Sequence, residues 1–195
     1  MLHHERGAHG RAEPLYARAL RIRRRALGAN HRDVATLLNH LGELYRARGA
    51  SGRAAPRFRR ALRIQQRTLG DHPAVAASLN NLALLHCDRG AHDRAEPLYR
   101  RAVRIAEHAL GAEHPNVAPL LANLAALYQD QGELERAAAL HERALRILEQ
   151  VLGAHHPDLA APLHNLAEVY RAQGVYDRAA VCRERALQIE ATRGG

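Results

Sequence analysis

The sequence predicts an all-α solenoid of antiparallel helix pairs, stacked in a right-handed superhelix. Three observations carry the expectation. The dipeptide Leu-Gly recurs at Leu27-Gly28, Leu69-Gly70, Leu110-Gly111 and Leu152-Gly153, at spacings of 42, 41 and 42 residues, and a fixed period of this size marks a repeat architecture. A second glycine falls between them, at Gly7, Gly49, Gly90, Gly132 and Gly174, so each unit divides into two segments closed by Gly. The apolar content is mostly Ala and Leu, the best helix formers, with no Trp, one Phe and six Tyr.

Taken in chain order, residues 8–28 read as an orphan second helix. Full repeats follow at about 31–70, 72–111, 114–153 and 156–193, making one array over 1–195. Such ragged ends are those expected of a piece of a longer protein. Both segments of a repeat show helical periodicity. Val75, Leu79, Leu82 and His86 form one stripe, and Ala95, Leu98, Tyr99, Ala102 and Ile105 form another. Asp33, Asn116 and Asp158 stand where an N-cap is expected, with Ala74 the uncapped exception. Gly suits the C′ position at the other end. Pro119 and Pro162 lie in first turns, where little hydrogen bonding is lost. Pro14, Pro56 and Pro97 sit about one turn further into second helices, where a local bend is expected.

A helix pair of this length cannot bury its apolar face alone, so the core forms between neighbours. Small residues recur where helices must approach: Gly42, Ala83, Ala125 and Ala167 in first helices, and Ala54, Ala95, Ala137 and Ala179 in second helices. Tyr45, Tyr128 and Tyr170 interleave with them, His86 replacing Tyr once. At the two ends, Leu15, Leu20 and Ile22, and Val181, Leu187 and Ile189, include residues expected to stay partly exposed, and self-association through them is expected.

The small residue three before Tyr, the mid-repeat Gly and the paired Ala of the second helix resemble the tetratricopeptide repeat. The period narrows the resemblance, as does the run Leu79-Asn80-Asn81-Leu82-Ala83 followed by Ala95-Glu96-Pro97-Leu98-Tyr99 and then His114-Pro115. This is similar to the repeat of kinesin light chains and of bacterial proteins with the same unit. Kinesin light chains carry a heptad coiled coil before their repeats and none is present here, so the resemblance implies no motor-linked role. It implies an interaction scaffold whose first helices line a concave groove, with Asn side chains gripping an extended peptide.

Composition excludes several function classes. No apolar run reaches the roughly 20 residues of a membrane span, and the first residues lack a signal-peptide core, so the chain reads as cytoplasmic. Cys87 and Cys182 match no paired spacing. The ladder His31, His72, His114 and His156 recurs once per repeat, as a turn or cap residue does, and no metal site is expected. No nucleophile elbow, phosphate loop or zinc-protease pattern occurs and there is no Lys, so neither catalysis nor a cofactor is expected.

Every basic residue is Arg, which points to a GC-rich coding bias. The distribution of charge is nonetheless uneven: residues 1–70 carry +12 and residues 71–195 carry −3. The candidate binding residues are the first-helix positions Asn39, Asn80, Asn81, Asn123 and Asn165, because an amide both donates to and accepts from a peptide main chain. Arg46, Gln129 and Arg171, further along the same helices, would add selectivity. The expected ligand is an extended, acidic peptide or partner domain. The alternative is RNA or another anionic partner on the basic N-terminal half, disfavoured because few aromatics accompany the arginines. The stretches Arg21–Arg25 and Arg57–Arg60 read first as a solvated second-helix face.

Overall fold

The computed structural model describes the backbone of residues 2–193 and the side chains of residues 12–191. Among these residues are nine α-helices, two 3-10 turns and no strand. The helices are α1 (Leu2–Leu27), α2 (Arg32–Ala47), α3 (Ser51–Leu69), α4 (Pro73–Cys87), α5 (His92–Leu110), α6 (Ala118–Asp130), α7 (Leu134–Leu152), α8 (Ala160–Ala172) and α9 (Tyr176–Arg193). The turns are Pro115–Val117 and Pro157–Leu159. They fall into two compact units, Met1–Ile105 and Ala106–Gly195. In the first, α2 packs on α1, α3 packs on α2, and α4 packs on α3. In the second, α7 packs on α6, α8 on α7 and α9 on α8. The expected nine helices are therefore present. The exception to the glycine boundaries is α1, which runs helical through Gly7. One Gly in a helix costs only about 1 kcal/mol against Ala, so it need not end one. The helices α1, α3 and α5 are likewise continuous through Pro14, Pro56 and Pro97.

Gly closes the two helix types by different hydrogen bonds. At the end of α2, Gly49 adopts φ +69°. That lets the Ala50 N–H donate to the Tyr45 carbonyl at 2.8 Å and the Gly49 N–H to the Arg46 carbonyl at 2.8 Å, which is the Schellman pattern. The same pair of bonds closes α4, α6 and α8. Second helices end more simply: Gly153, at φ +84°, donates one bond to the Glu149 carbonyl at 2.9 Å.

The helix starts differ from expectation. The N-caps are His31, His72, His114 and His156, not Asp33, Asn116 and Asp158. Each imidazole Nδ1 accepts from the N–H two residues on, that of Asp33, Ala74, Asn116 or Asp158, at 3.1–3.2 Å. A ring nitrogen in extended backbone before the helix reaches the orphan N–H of the second helical residue as a Ser or Asp oxygen would. Ala74, expected to be uncapped, is served like the others. Both 3-10 turns precede a helix with proline in its first turn. Pro119 brings no N–H to the Pro115 carbonyl, and the Ala118 N–H takes that carbonyl from three residues on; Pro162 leaves the Asp158 carbonyl without its α-helical donor, and the Ala160 N–H donates to the Pro157 carbonyl three residues back. The α4 start has no second proline and is α-helical from Pro73.

The core repeats by column. Val34, Val75, Val117 and Leu159 are fully buried, as are Ala54, Ala95 and Ala137 where second helices approach. Nine residues after the mid-repeat Gly, the buried side chain is Phe58, Tyr99 or His141. Gly42 is matched to this column. A Cβ there would strike the Phe58 ring well inside van der Waals contact, whereas the later repeats place Ala at the equivalent position. Between α2, α3 and α4 lies a buried polar trio in which the Asn39 amide donates to Ser78 Oγ at 2.6 Å and Ser78 donates to the Gln65 carbonyl oxygen. A guanidinium ladder ties second helices to the preceding loops. Arg60, Arg143 and Arg185 donate to the carbonyls of Ala29, Ala112 and Ala154 at 3.4, 2.8 and 3.4 Å. Of the end residues, Leu15, Ile22, Val181 and Leu187 are more than half exposed. Leu20 is half-buried, and Ile189 is buried where α9 packs on the Pro157–Leu159 turn.

Candidate functional site

Each first helix leaves one stripe uncovered. Counted from the capping His, the positions five, nine, twelve and sixteen residues on are exposed or half-buried, while those three, four, seven and ten on are buried. The spacing follows the helical period, so these four positions share a face. In the first unit the stripe is Thr36, His40, Glu43 and Ala47 on α2, and Ala77, Asn81 and Leu84 on α4 with Asp88 at its C-cap. In the second it is Pro119, Asn123, Ala126 and Asp130 on α6, and Ala161, Asn165, Glu168 and Ala172 on α8.

The structure divides the expected site residues. Asn81, Asn123 and Asn165 occupy the same stripe position, with His40 in the first repeat. His40 stands beside the Tyr16 ring, centroids 5.7 Å apart. Asn81 donates to Glu43 at 2.6 Å across α2 and α4. Asn39 and Asn80 lie one residue earlier, turned by 100° from the stripe. Asn39 is buried, its amide nitrogen given to Ser78 and its oxygen without a partner among the described residues, so it belongs to the packing between repeats. Asn80 and Gln129 are half-buried. Arg46 pairs with Asp88 at 3.3 Å. Arg171 folds back on Glu168 at 2.7 Å, and the guanidinium bond holds the Glu168 carboxyl below its ordinary range. Both arginines thus bring their own counter-charge, and the stripe also carries Glu43 and Asp130.

A column that the sequence reading passed over supports the stripe from behind. The arginines four residues after the mid-repeat Gly cover the aromatic rings of the first helices. Arg53 lies 4.1 Å from the Tyr45 centroid, Arg136 is 5.4 Å from Tyr128 and Arg178 is 5.6 Å from Tyr170. In the second repeat the aromatic is His86. Burial, and then Arg94 from this same column, push its pKa below the ordinary value. The Tyr45 hydroxyl donates to Glu13 Oε1 at 2.7 Å, Arg53 donates to the same oxygen, and Arg48 holds the other side of that carboxylate. Tyr170 donates likewise to Glu142. The signal was present in the sequence as a periodic Arg at 53, 94, 136 and 178. Among the described residues no three His, Cys, Asp or Glu side chains converge as a metal site would, and no helix is long and apolar enough to cross a membrane.

A tetratricopeptide-repeat family model matches residues 1–67, 52–108, 74–150 and 117–189. The chain belongs to the tetratricopeptide-repeat family. Solved structures agree on the subtype of this tetratricopeptide-repeat chain. BtubC (BKLC) from P. vanneervenii is 31% identical, with a TM-score of 0.86 over 100% of this chain and 78% of that one. A kinesin-light-chain candidate from Podosopora anserina, with nearly identical TPR-like repeats, is 28% identical, with a TM-score of 0.77 over 97% and 90%. MamA, at 17% identity and a TM-score of 0.66, shares the fold alone. No curated protein sequence matches the chain. The kinesin-light-chain-like repeat read from the sequence is thereby established, and with it the general role of such repeats as protein-interaction scaffolds.

Proposed function

We propose that this chain is a non-enzymatic scaffold that holds extended segments of a partner protein against the uncovered stripes of the first helices within each compact unit. One observation carries the reading: all four first helices expose the same four positions, and three of them place Asn at the ninth residue from the cap. An Asn amide offers a donor and an acceptor to a main chain, so it holds an extended segment without selecting its side chains. Selectivity falls to the neighbouring stripe residues, which differ between units: Glu43, Leu84 and Asp88 in the first, Ala126, Asp130 and Glu168 in the second. Arg46 and Arg171, being ion-paired within the chain, lend this face little preference for an acidic ligand. The same scaffold self-associates through the exposed apolar residues of α1 and α9.

Selection of binders from a peptide array, followed by calorimetric titration, tests the reading. Replacing both Asn123 and Asn165 by Ala should weaken a stripe-bound peptide by roughly 30-fold, at about 1 kcal/mol per neutral hydrogen bond. The fold should persist, since Ala is the better helix former. A double variant that melts early yet binds normally when folded would make these amides structural and remove the proposal.

A further inference from the structure

In the first unit a cleft of about 640 Å3 opens between α1 and α3, within the roughly 300–1,000 Å3 of typical ligand pockets. Its rim carries Arg21, Arg24 and Arg25 from α1 and Arg57 and Arg60 from α3. Its floor is apolar, made of Leu20, Leu38, Leu41 and Pro56 with the Tyr45 ring. No carboxylate lines it. A recess of about 450 Å3 shares Pro56 and Arg60 and extends the basic lining along α3 through Arg59, Arg63 and Arg67, again with no acid. Leu38, Leu41 and Tyr45 lie on the side of α2 away from its stripe, so this is a different surface from the one proposed above.

The neighbouring acids are already engaged. Glu13 is held by Tyr45, Arg48 and Arg53, and Asp33 pairs with Arg23 at 3.2 Å. Among the described residues Arg21, Arg24 and Arg25 have no ion-pair partner. Guanidinium groups gathered over an apolar floor repel one another, and the arrangement is relieved by carboxylates, which guanidinium binds in bidentate fashion. Nucleic acid fits the cleft less well. The aromatic ring lining it is Tyr45, whose face is covered by Arg53 and Arg57 at 4.1 and 4.7 Å and whose hydroxyl is given to Glu13. It therefore offers no platform for a base.

We infer that the α1–α3 cleft is a second binding site, which takes an acidic peptide segment whose carboxylates meet the arginine rim while an interspersed apolar side chain rests on the leucine floor. It uses residues of second helices and stands whether or not the first-helix stripe binds a peptide. The probe is a fluorescein-labelled decapeptide of eight Asp and Glu residues and two Leu, followed by anisotropy. Reversing charge at Arg21→Glu, Arg24→Glu and Arg25→Glu together should weaken binding at least tenfold. The same change in net charge at Arg89→Glu, Arg104→Glu and Arg146→Glu, which are exposed and line neither the cleft nor the recess, should weaken it less than threefold. A probe with Ser in place of both Leu should bind the unaltered protein at least fivefold more weakly, a readout that depends on no variant folding. Asn123→Ala with Asn165→Ala should leave this binding unchanged. Equal losses from the two triple variants would reduce the effect to long-range charge and overturn the site. So would a Ser probe that binds as well as the Leu probe, or an oligouridylate of matching length that binds more tightly and displaces the peptide.

Discussion

Gly42, packed against the Phe58 column, and His141, a member of it, show how single residues are fixed by their columns. On helix propensity alone Gly42→Ala should stabilise α2 by about 1 kcal/mol. The Phe58 ring, fully buried, occupies the space that the methyl needs, and overpacking of this kind costs about 1–3 kcal/mol. The expected outcome is a net loss of stability in urea melts, recovered when Phe58→Leu is added to make room. His141 sits 4% exposed where the earlier repeats have Phe58 and Tyr99, and burial pushes its pKa below the ordinary 6.5. The unfolded chain then binds the proton more readily than the folded one. The stability is full above pH 6.5 and is lost as the pH falls through the depressed folded value, by up to about 1.4 kcal/mol per pH unit. His141→Phe should shrink the fall in melting temperature between pH 7 and pH 5; an unchanged slope would show that other groups carry it.

At the scale of the element, most of the fold was legible in the sequence, because glycine at a helix end and apolar residues at helical spacing are local signals. Period, helix number and, Gly7 apart, the closing glycines are found at or beside their expected places. The N-caps were misplaced by two residues. The sequence reading favoured Asp and Asn for their oxygens, whereas the imidazole Nδ1 of the preceding His does the same work. An accepting Nδ1 is unprotonated, so the hydrogen stands on Nε2. His114→Ala should cost about 1 kcal/mol. The local readout is faster hydrogen exchange at the Asn116 amide, with amides in α9 unaffected. Pro119→Ala should restore the missing donor and let α6 begin as an α-helix nearer Pro115, which NMR dihedral restraints would report. The candidate site was half legible. Asn39 and Asn81 look alike in the sequence, but the 100° step per residue turns Asn39 inward to Ser78 and leaves Asn81 on the stripe. Which of two adjacent asparagines faces out depends on the packing of neighbouring helices, and no pattern within one repeat reveals it. The arginine cleft was hidden for the opposite reason. Its arginines were noticed as a run, but the run alone does not show that α1 and α3 part around an apolar floor.

For the molecule as a whole, the apolar residues left outside the core set its behaviour in solution. Leu15 and Ile22 on α1 are 67% and 55% exposed, and Val181 and Leu187 on α9 are 58% and 57% exposed. Exposed apolar patches favour association. At about 100 µM, where even weak micromolar contacts register, light scattering should show species larger than a monomer. Leu15→Glu with Ile22→Glu should reduce them, and a clean monomer before substitution would count against the expectation. The guanidinium ladder carries a different consequence. Arg60, Arg143 and Arg185 each reach a carbonyl 31 residues earlier in the chain, a span shorter than one period. A duplication or deletion of one whole period in the coding sequence keeps this offset wherever the cut falls, because the arginine and carbonyl columns shift by the same amount. Recombination between repeats can lengthen or shorten such a chain without stranding an arginine at the new junction.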